Sequence, residues 1–239
     1  LPRITSDYQQ PFDLRLGPVF RAHLYSLEAQ SHILLLNFHH IVCDAWSVWL
    51  LVDELIDRYT AVDSQTEPNP QKLLSSVNNG CSYRDFVVDQ SRYIESERGK
   101  HAKAYWLDVF SGEIPVLNLP TNSAYEIHQG DDAKAFDLTL SSALCESLNR
   151  VCKSHKVTLF TWVMSVYQLL LHRYSGQQDI IVGSPVAGRT DSRFEKTVGY
   201  FVNQISLRGN FEHDIPFVEL LQKTHSHCVQ AIAHQDYPF

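Results

Sequence analysis

The spacing of apolar positions changes several times along the chain, and each change predicts an element. Val19 to Ser26 and His32 to His39 read as two strands, and Leu27 to Ser31 is short enough for a hairpin loop. From Ala45 the period becomes helical. Val48, Leu51, Val52, Leu55, Ile56 and Tyr59 share one face, with Asp53, Glu54, Asp57 and Arg58 opposite. Thr60 to Gly80 is polar, carries Pro68 and Pro70, and predicts a loop. Tyr83 to Phe110 predicts helix, broken or bent around Gly99, and Pro115 to Gly130 has no clear period. Ala135 to Leu140 alternates like a strand, and Ser141 or Ser142 is placed to cap a helix carrying Leu144, Leu148 and Val151. Thr158 opens an apolar helix that Ser175-Gly176 ends near Tyr174. Ile180 to Gly183 and Ile205 to Arg208 predict strands. Pro216 starts a last helix running towards His234. Strands and helices mix without regular βαβ alternation, which predicts an α/β fold of α+β type with mixed sheets.

The charge narrows the partners. Twenty Lys and Arg against twenty-seven Asp and Glu give a net charge of −7 over 239 residues. A nucleic-acid binder needs a basic stripe, so that class is set aside. No apolar run reaches the roughly 18 residues of a membrane span. Five cysteines, odd in number and without a CxxC pair, read as reduced thiols in a cytoplasmic protein. The chain opens on Leu1-Pro2-Arg3 and closes on Tyr237-Pro238-Phe239, which reads as a segment of something longer.

The stretch Asn37 to Ser47 concentrates the chemistry. His39 and His40 close an apolar strand, and Asp44 stands just before a helix. Three readings stay open on the residues alone. A metal site is disfavoured, because adjacent strand residues point to opposite faces and no HExxH or CxxC pattern helps. A packed histidine with Asp44 as helix cap accounts for the pattern structurally. In the third reading, one histidine faces a cavity as an acid–base group. The nearby helix N-terminus would disfavour its charged form, and Asp44 would cap the helix or pair with an Arg. A Cys43–His40 nucleophile pair is the weakest variant. No GxSxG elbow is present.

The run His39 to Ser47 resembles the HHxxxDG(W)S signature of condensation domains of nonribosomal peptide synthetases. Pro11 to Leu14 with Gly17 to Ala22, Tyr83-Arg84-Asp85-Phe86 with Gln90, Tyr105-Trp106 and Leu117 to Thr121 resemble further motifs of that family. So do Gly183 to Arg189 (GxPxAxR), Val198 to Asn203 (IGxFVN) and His234 to Phe239 (HQDYPF). They follow family order over essentially the whole chain, and together they are highly specific.

The resemblance implies two chloramphenicol-acetyltransferase-like lobes in a V with a tunnel between them. It implies a truncated N-terminal lobe over residues 1–118 and a C-terminal lobe over 119–239 lacking its last elements. The implied reaction is attack of a carrier-bound aminoacyl amine on a carrier-bound peptidyl or acyl thioester, forming an amide. The resemblance implies a domain that itself binds no cofactor or metal. Its substrates arrive on phosphopantetheine arms of donor and acceptor carrier domains, with an adenylation domain adjacent. By resemblance His40 is the catalytic side chain, with His39 supporting and Asp44 structural. Arg189 is the candidate partner of Asp44. Ala45, Trp46, Ser47 and Asn203 are the candidate substrate-binding positions. Two residues depart from the family pattern: Ala45 stands where Gly is usual, and Asp89 where Trp is usual. Asp44-Ala45-Trp46-Ser47 fits condensation better than epimerization domains, and the histidine pair argues against heterocyclization domains. A non-catalytic recruiting domain of the same fold and a standalone CoA- or carrier-dependent acyltransferase are the alternatives.

Overall fold

The computed structural model describes residues 2–67, 81–120, 135–211 and 214–238. In chain order the elements are α1 (Pro2–Gln9), β1 (Phe20–Glu28), β2 (Ser31–Phe38), α2 (Ala45–Asp63), α3 (Tyr83–Glu95) and α4 (Glu97–Val109). They continue with α5 (Ser142–Ser154), α6 (Leu159–Ser175), β3 (Asp179–Val186), β4 (Asn203–Asn210) and α7 (Phe217–Ala233). A 3₁₀ turn, Ser192–Phe194, lies between β3 and β4. Two antiparallel two-stranded sheets, β1-β2 and β3-β4, complete this mixed α/β fold.

The chain falls into two compact units. One comprises Leu1–Tyr93 with Ala187–Val202, the other Ile94–Val186 with Asn203–Phe239. The expected cut between residues 118 and 119 is a single point in sequence, whereas these units are discontinuous.

In the first unit α1 docks on one face of the β1-β2 hairpin. The buried Asn37 amide donates to the Asp7 and Tyr8 carbonyls at 3.3 and 3.2 Å. The Tyr25 hydroxyl donates to the Asp7 carboxylate at 2.6 Å. This α1 helix was not anticipated; it is about two turns long, with Ile4 and Tyr8 as its large apolar positions. On the opposite face the register pairs Phe20 with Phe38, Ala22 with Leu36 and Leu24 with Leu34. The Phe20 and Phe38 rings stack at 4.7 Å, while Leu24 stays 68% exposed.

In the second unit α6 and α7 pack with β4 around Trp106, Met164, Ile205, Leu207, Cys228 and Ala231. The local signals are the expected ones. Ser141 and Thr158 cap α5 and α6 through their hydroxyls, and Gly176 closes α6 at φ 69°. Arg208 on β4 ties the sheet to the end of α4. Its guanidinium meets both Asp179 carboxylate oxygens, the shortest contact being 2.6 Å. It also donates to the carbonyls of Val109 and Ser111 at 2.8 Å and of Glu113 at 3.0 Å.

Three expectations are corrected. Ala135 to Leu140 forms no strand; no described strand lies beside it, and Phe136 and Leu138 are 89% and 75% exposed. The helical stretch from Tyr83 breaks at Ser96, not Gly99. Ser96 caps α4 by accepting the Gly99 N–H at 3.1 Å, so the glycine sits in the first turn after the break. Strand β2 stops at Phe38, which puts His39 and His40 in the following turn and removes the alternating-face geometry assumed for them. The expected loop to Gly80 and linker to Gly130 lie largely outside the described residues.

Replacing Arg208 with Met should lower the unfolding free energy by about 1–3 kcal/mol, because the carbonyls ending α4 lose their donors. A urea unfolding midpoint equal to the parent's would count against this bracing role.

Candidate functional site

Asp44 organises the first unit. It is the N-cap of α2, in extended conformation, and accepts the Ser47 N–H at 2.8 Å. This is the standard way to satisfy an orphan donor in a helix's first turn. The carboxylate does more than cap. Arg189 Nη2 reaches its two oxygens at 3.1 and 3.3 Å, and the Phe201 N–H donates to it at 3.1 Å. Both side chains are out of water, at 4% exposure for Arg189 and 1% for Asp44. Burial alone would push the Asp44 carboxyl up. Hydrogen bonds from Ser47 and Phe201, with the Arg189 charge, outweigh it and hold the carboxyl below the usual carboxylate range.

Ser47 completes the knot. Its hydroxyl donates to the Gly199 carbonyl at 2.9 Å and accepts the Gly199 N–H at 3.0 Å and Arg189 Nη2 at 2.8 Å. The sequence reading grouped Ser47 with substrate-binding positions. Ser47 is 0% exposed, and its hydroxyl is occupied by Gly199 and Arg189. Arg189 Nη1 binds the carbonyls of Phe194 and Thr197 at 2.6 and 2.7 Å, and its guanidinium lies 3.9 Å over the Phe201 ring.

Helix α3 supplies the other wall. Ser82 and Asp85 cap it reciprocally: the Ser82 N–H donates to Asp85 at 2.7 Å, and the Asp85 N–H to Ser82 Oγ at 3.2 Å. Phe86 packs on Phe201 and Phe194, with ring centroids at 4.5 and 5.5 Å. The Tyr83 hydroxyl donates to the Tyr200 carbonyl at 2.8 Å. The Tyr83 ring fills the place of a Gly199 side chain, since a Cβ there would lie 2.2 Å from Tyr83 Cδ2.

The histidines sit on the turn this framework holds. His39 is half-buried, accepts the Ile41 N–H on Nδ1 at 3.1 Å, and meets Phe12 edge-on at 5.9 Å. His40 is exposed and meets Tyr200 at 5.4 Å with the rings at 76°. Among the described residues its imidazole makes no hydrogen bond. Cys43 is buried; burial first and the Asp44 charge second raise its thiol, which disfavours a Cys43–His40 nucleophile pair. Ala45 is exposed at the start of α2, and the Trp46 indole donates to the Glu195 carbonyl at 2.9 Å. Asn203 lies in the second unit, where its amide donates to the Gln235 and Tyr237 carbonyls, both at 2.7 Å. Among the described residues no group of three His, Cys, Asp or Glu is placed to hold a metal ion, and no helix is long and apolar enough to cross a membrane.

The condensation-domain profile matches residues 2–239. The chain belongs to the condensation-domain family. It is 34% identical to gramicidin S synthase 2 of Brevibacillus brevis over 237 residues, 99% of this chain and 5% of that protein. It is 35% identical over 238 residues to tyrocidine synthase 3 of Brevibacillus parabrevis, covering 100% of this chain and 4% of that one. The chain thus spans a small fraction of the synthetases it matches. Among solved structures, the first condensation domain of the calcium-dependent antibiotic synthetase superposes with a TM-score of 0.75 at 22% identity, over 99% of this chain and 53% of that one. The X-domain complexed with OxyB from teicoplanin biosynthesis gives 0.84 at 22% identity, over 100% and 52%. These likenesses show the condensation-domain fold. Of the two departures from the family pattern, Asp89 pairs with Arg193 at 2.8 Å and Arg92 at 3.4 Å, and Ala45 faces outward.

Tyr200 carried no role in the sequence reading. It lies 160 positions from His40, and no local signal links the two.

Two outcomes follow. Gly199→Ala should cost about 1–3 kcal/mol by overpacking against Tyr83, visible as a lower melting temperature. A variant melting like the parent would mean that the Tyr83 ring yields. Asp44→Asn should cost about 3–5 kcal/mol at pH 7, because Arg189 is left buried without a counter-charge. The folded carboxyl titrates below the ordinary Asp value of about 3.9, so this stabilisation is complete above that pH and is lost as pH falls through the lower folded value. The gap between parent and variant in urea midpoint should therefore close on acidification below pH about 4. A gap independent of pH would show that the carboxylate charge is not what holds the knot.

Proposed function

We propose that this chain is the amide-forming part of a nonribosomal peptide synthetase module, with His40 as its catalytic side chain. The single observation that supports this best is the presentation of His40. An exposed imidazole stands on a turn whose following residues are pinned by the buried Asp44–Arg189 pair. A group meant only for packing would not be left in solvent beside so heavily braced a loop.

The substrates are a carrier-bound aminoacyl amine and a carrier-bound peptidyl or acyl thioester, both on phosphopantetheine arms. The thioester carbonyl gains the C–N bond and loses the C–S bond, and the carrier thiol leaves with the proton. A thioester is already activated, so the protein's task is placement. Proximity supplies about 7–11 kcal/mol of the barrier, and a base or acceptor at His40 adds about 10²–10⁴-fold. His40 takes or orients the amine proton. His39 braces the turn through Ile41, and Asp44 and Arg189 hold it without entering the chemistry. Ala45 and Trp46, exposed at the start of α2, are the positions nearest in sequence for an arriving arm. Asn203 shapes the loop carrying Gln235 and Tyr237. Donor and acceptor carrier domains and an adjacent adenylation domain are the partners, in the cytoplasm.

We propose further that residues 1–239 alone do not catalyse condensation, since they span 53% of the solved condensation domain named above. The placement of both thioesters then lacks half of its walls. The test compares this segment, and a version extended at both ends to full domain length, with loaded carriers. The extended parent should form amide, and its His40→Ala variant should lose about 10²-fold or more while keeping its circular dichroism. Parental rates in a folded His40→Ala variant would remove the role given to His40. Full activity in the short segment would remove the claim that it is insufficient.

A further inference from the structure

The imidazole of His40 has freedom that a catalytic group cannot use. It stands on a turn after β2, exposed, and makes no hydrogen bond among the described residues. The χ2 torsion of histidine has broad wells, so a turn alone does not aim the ring. Its one ring contact among the described residues is Tyr200, at 5.4 Å and 76°, within the range of favourable edge-to-face pairs.

Tyr200 is unusually well placed to act as a fixed wall. The residues on either side of it are tied to the Asp44 knot. Gly199 exchanges hydrogen bonds with the Ser47 hydroxyl, and its carbonyl accepts the Asp44 N–H at 3.1 Å. The Phe201 N–H is held by Asp44, and the Tyr200 carbonyl by the Tyr83 hydroxyl. The Tyr83 ring against Gly199 blocks a shift towards α3. The Tyr200 side chain, 39% exposed, is not needed to fill a core. Its backbone is held on both sides, and its ring meets the His40 imidazole, which makes no hydrogen bond among the described residues.

We infer that Tyr200 is a positioning residue for His40, acting through its ring rather than its hydroxyl. This rests on the amide-forming role proposed for His40. The same knot that seats the histidine turn also seats Tyr200, so the two rings are referenced to a common frame. An imidazole aimed in this way spends more of its time in the orientation from which it meets the amine. Binding of the carrier-borne substrates does not involve the ring.

The test uses the full-length domain with [¹³Cε1]-histidine labelling, the His40 signal being identified by its loss in His40→Ala. Tyr200→Leu should move the His40 Hε1 resonance by removing the ring current, and Tyr200→Phe should leave it near the parental position. In amide formation from loaded carriers, Tyr200→Leu should lower kcat by about 10–100-fold with KM unchanged, and Tyr200→Phe should restore it. Melting temperatures of both variants should match the parent's, which a merely structural role would not give. An unmoved His40 signal in Tyr200→Leu overturns the inference whatever the activity. So does an unchanged kcat, a loss carried in KM, or a failure of Tyr200→Phe to restore the rate. If His40→Ala itself keeps full activity, the proposed function has failed instead, and the resonance still reports the ring contact separately.

Discussion

The buried contact between Asp44 and Arg189 sets the terms for everything around it. Taking two opposite charges out of water costs several kcal/mol per ion, and their attraction repays this only when the remaining donors and acceptors are also satisfied. Here nearly all are. Asp44 accepts from Ser47, Phe201 and Arg189, and Arg189 spends its other nitrogen on two carbonyls. Among the described residues the exception is Arg189 Nε, which finds no hydrogen-bond partner, with the guanidinium face resting on Phe201. Such a pair adds little net stability against an apolar substitute. What it supplies is uniqueness, because any other seating of the loops would strand a charge.

That logic assigns a physical purpose to motifs that look unrelated in sequence. Tyr83, Phe86, Arg189, Gly199 and Phe201 come from two stretches about a hundred positions apart, yet they close one shell around Asp44 and Ser47. Gly199 is small because Tyr83 occupies its side-chain space. Asp85 is acidic because it answers the Ser82 cap at a helix start. None of these residues needs to touch a substrate. His40, Ala45, Trp46 and Tyr200 are instead exposed around this shell.

Much of this was readable before any coordinates. Caps at Ser141 and Thr158, the Gly176 stop and the period change at Ala45 are local, and local signals survive in a single sequence. The Ala135 to Leu140 stretch failed because alternation describes a face, and a strand also needs a neighbour to bond to. The Ser96 break was displaced towards Gly99 because a glycine is a louder signal than a serine cap. Ser47 is buried while its neighbours Ala45 and Trp46 face outward, because helical rotation turns the third residue into the interior. The position of Arg189 beside Asp44 came from resemblance to a family, since 145 residues separate the two and no periodicity spans that distance.

That separation has a consequence for how the protein is made. The Asp44 cap on α2 can form as soon as Ser47 exists, but its counter-charge is encoded in the connection between β3 and β4. At a synthesis rate of about 5–20 residues per second, Arg189 follows Asp44 by about 7–30 s. Over that interval the carboxylate is hydrated and harmless, and the histidine turn has no frame to rest on. Long-range contacts of this kind pay their loop-closure entropy before they return anything, so they form late. The local cap on α2 can therefore form well before the Asp44–Arg189 contact gives the loops around it a fixed seating.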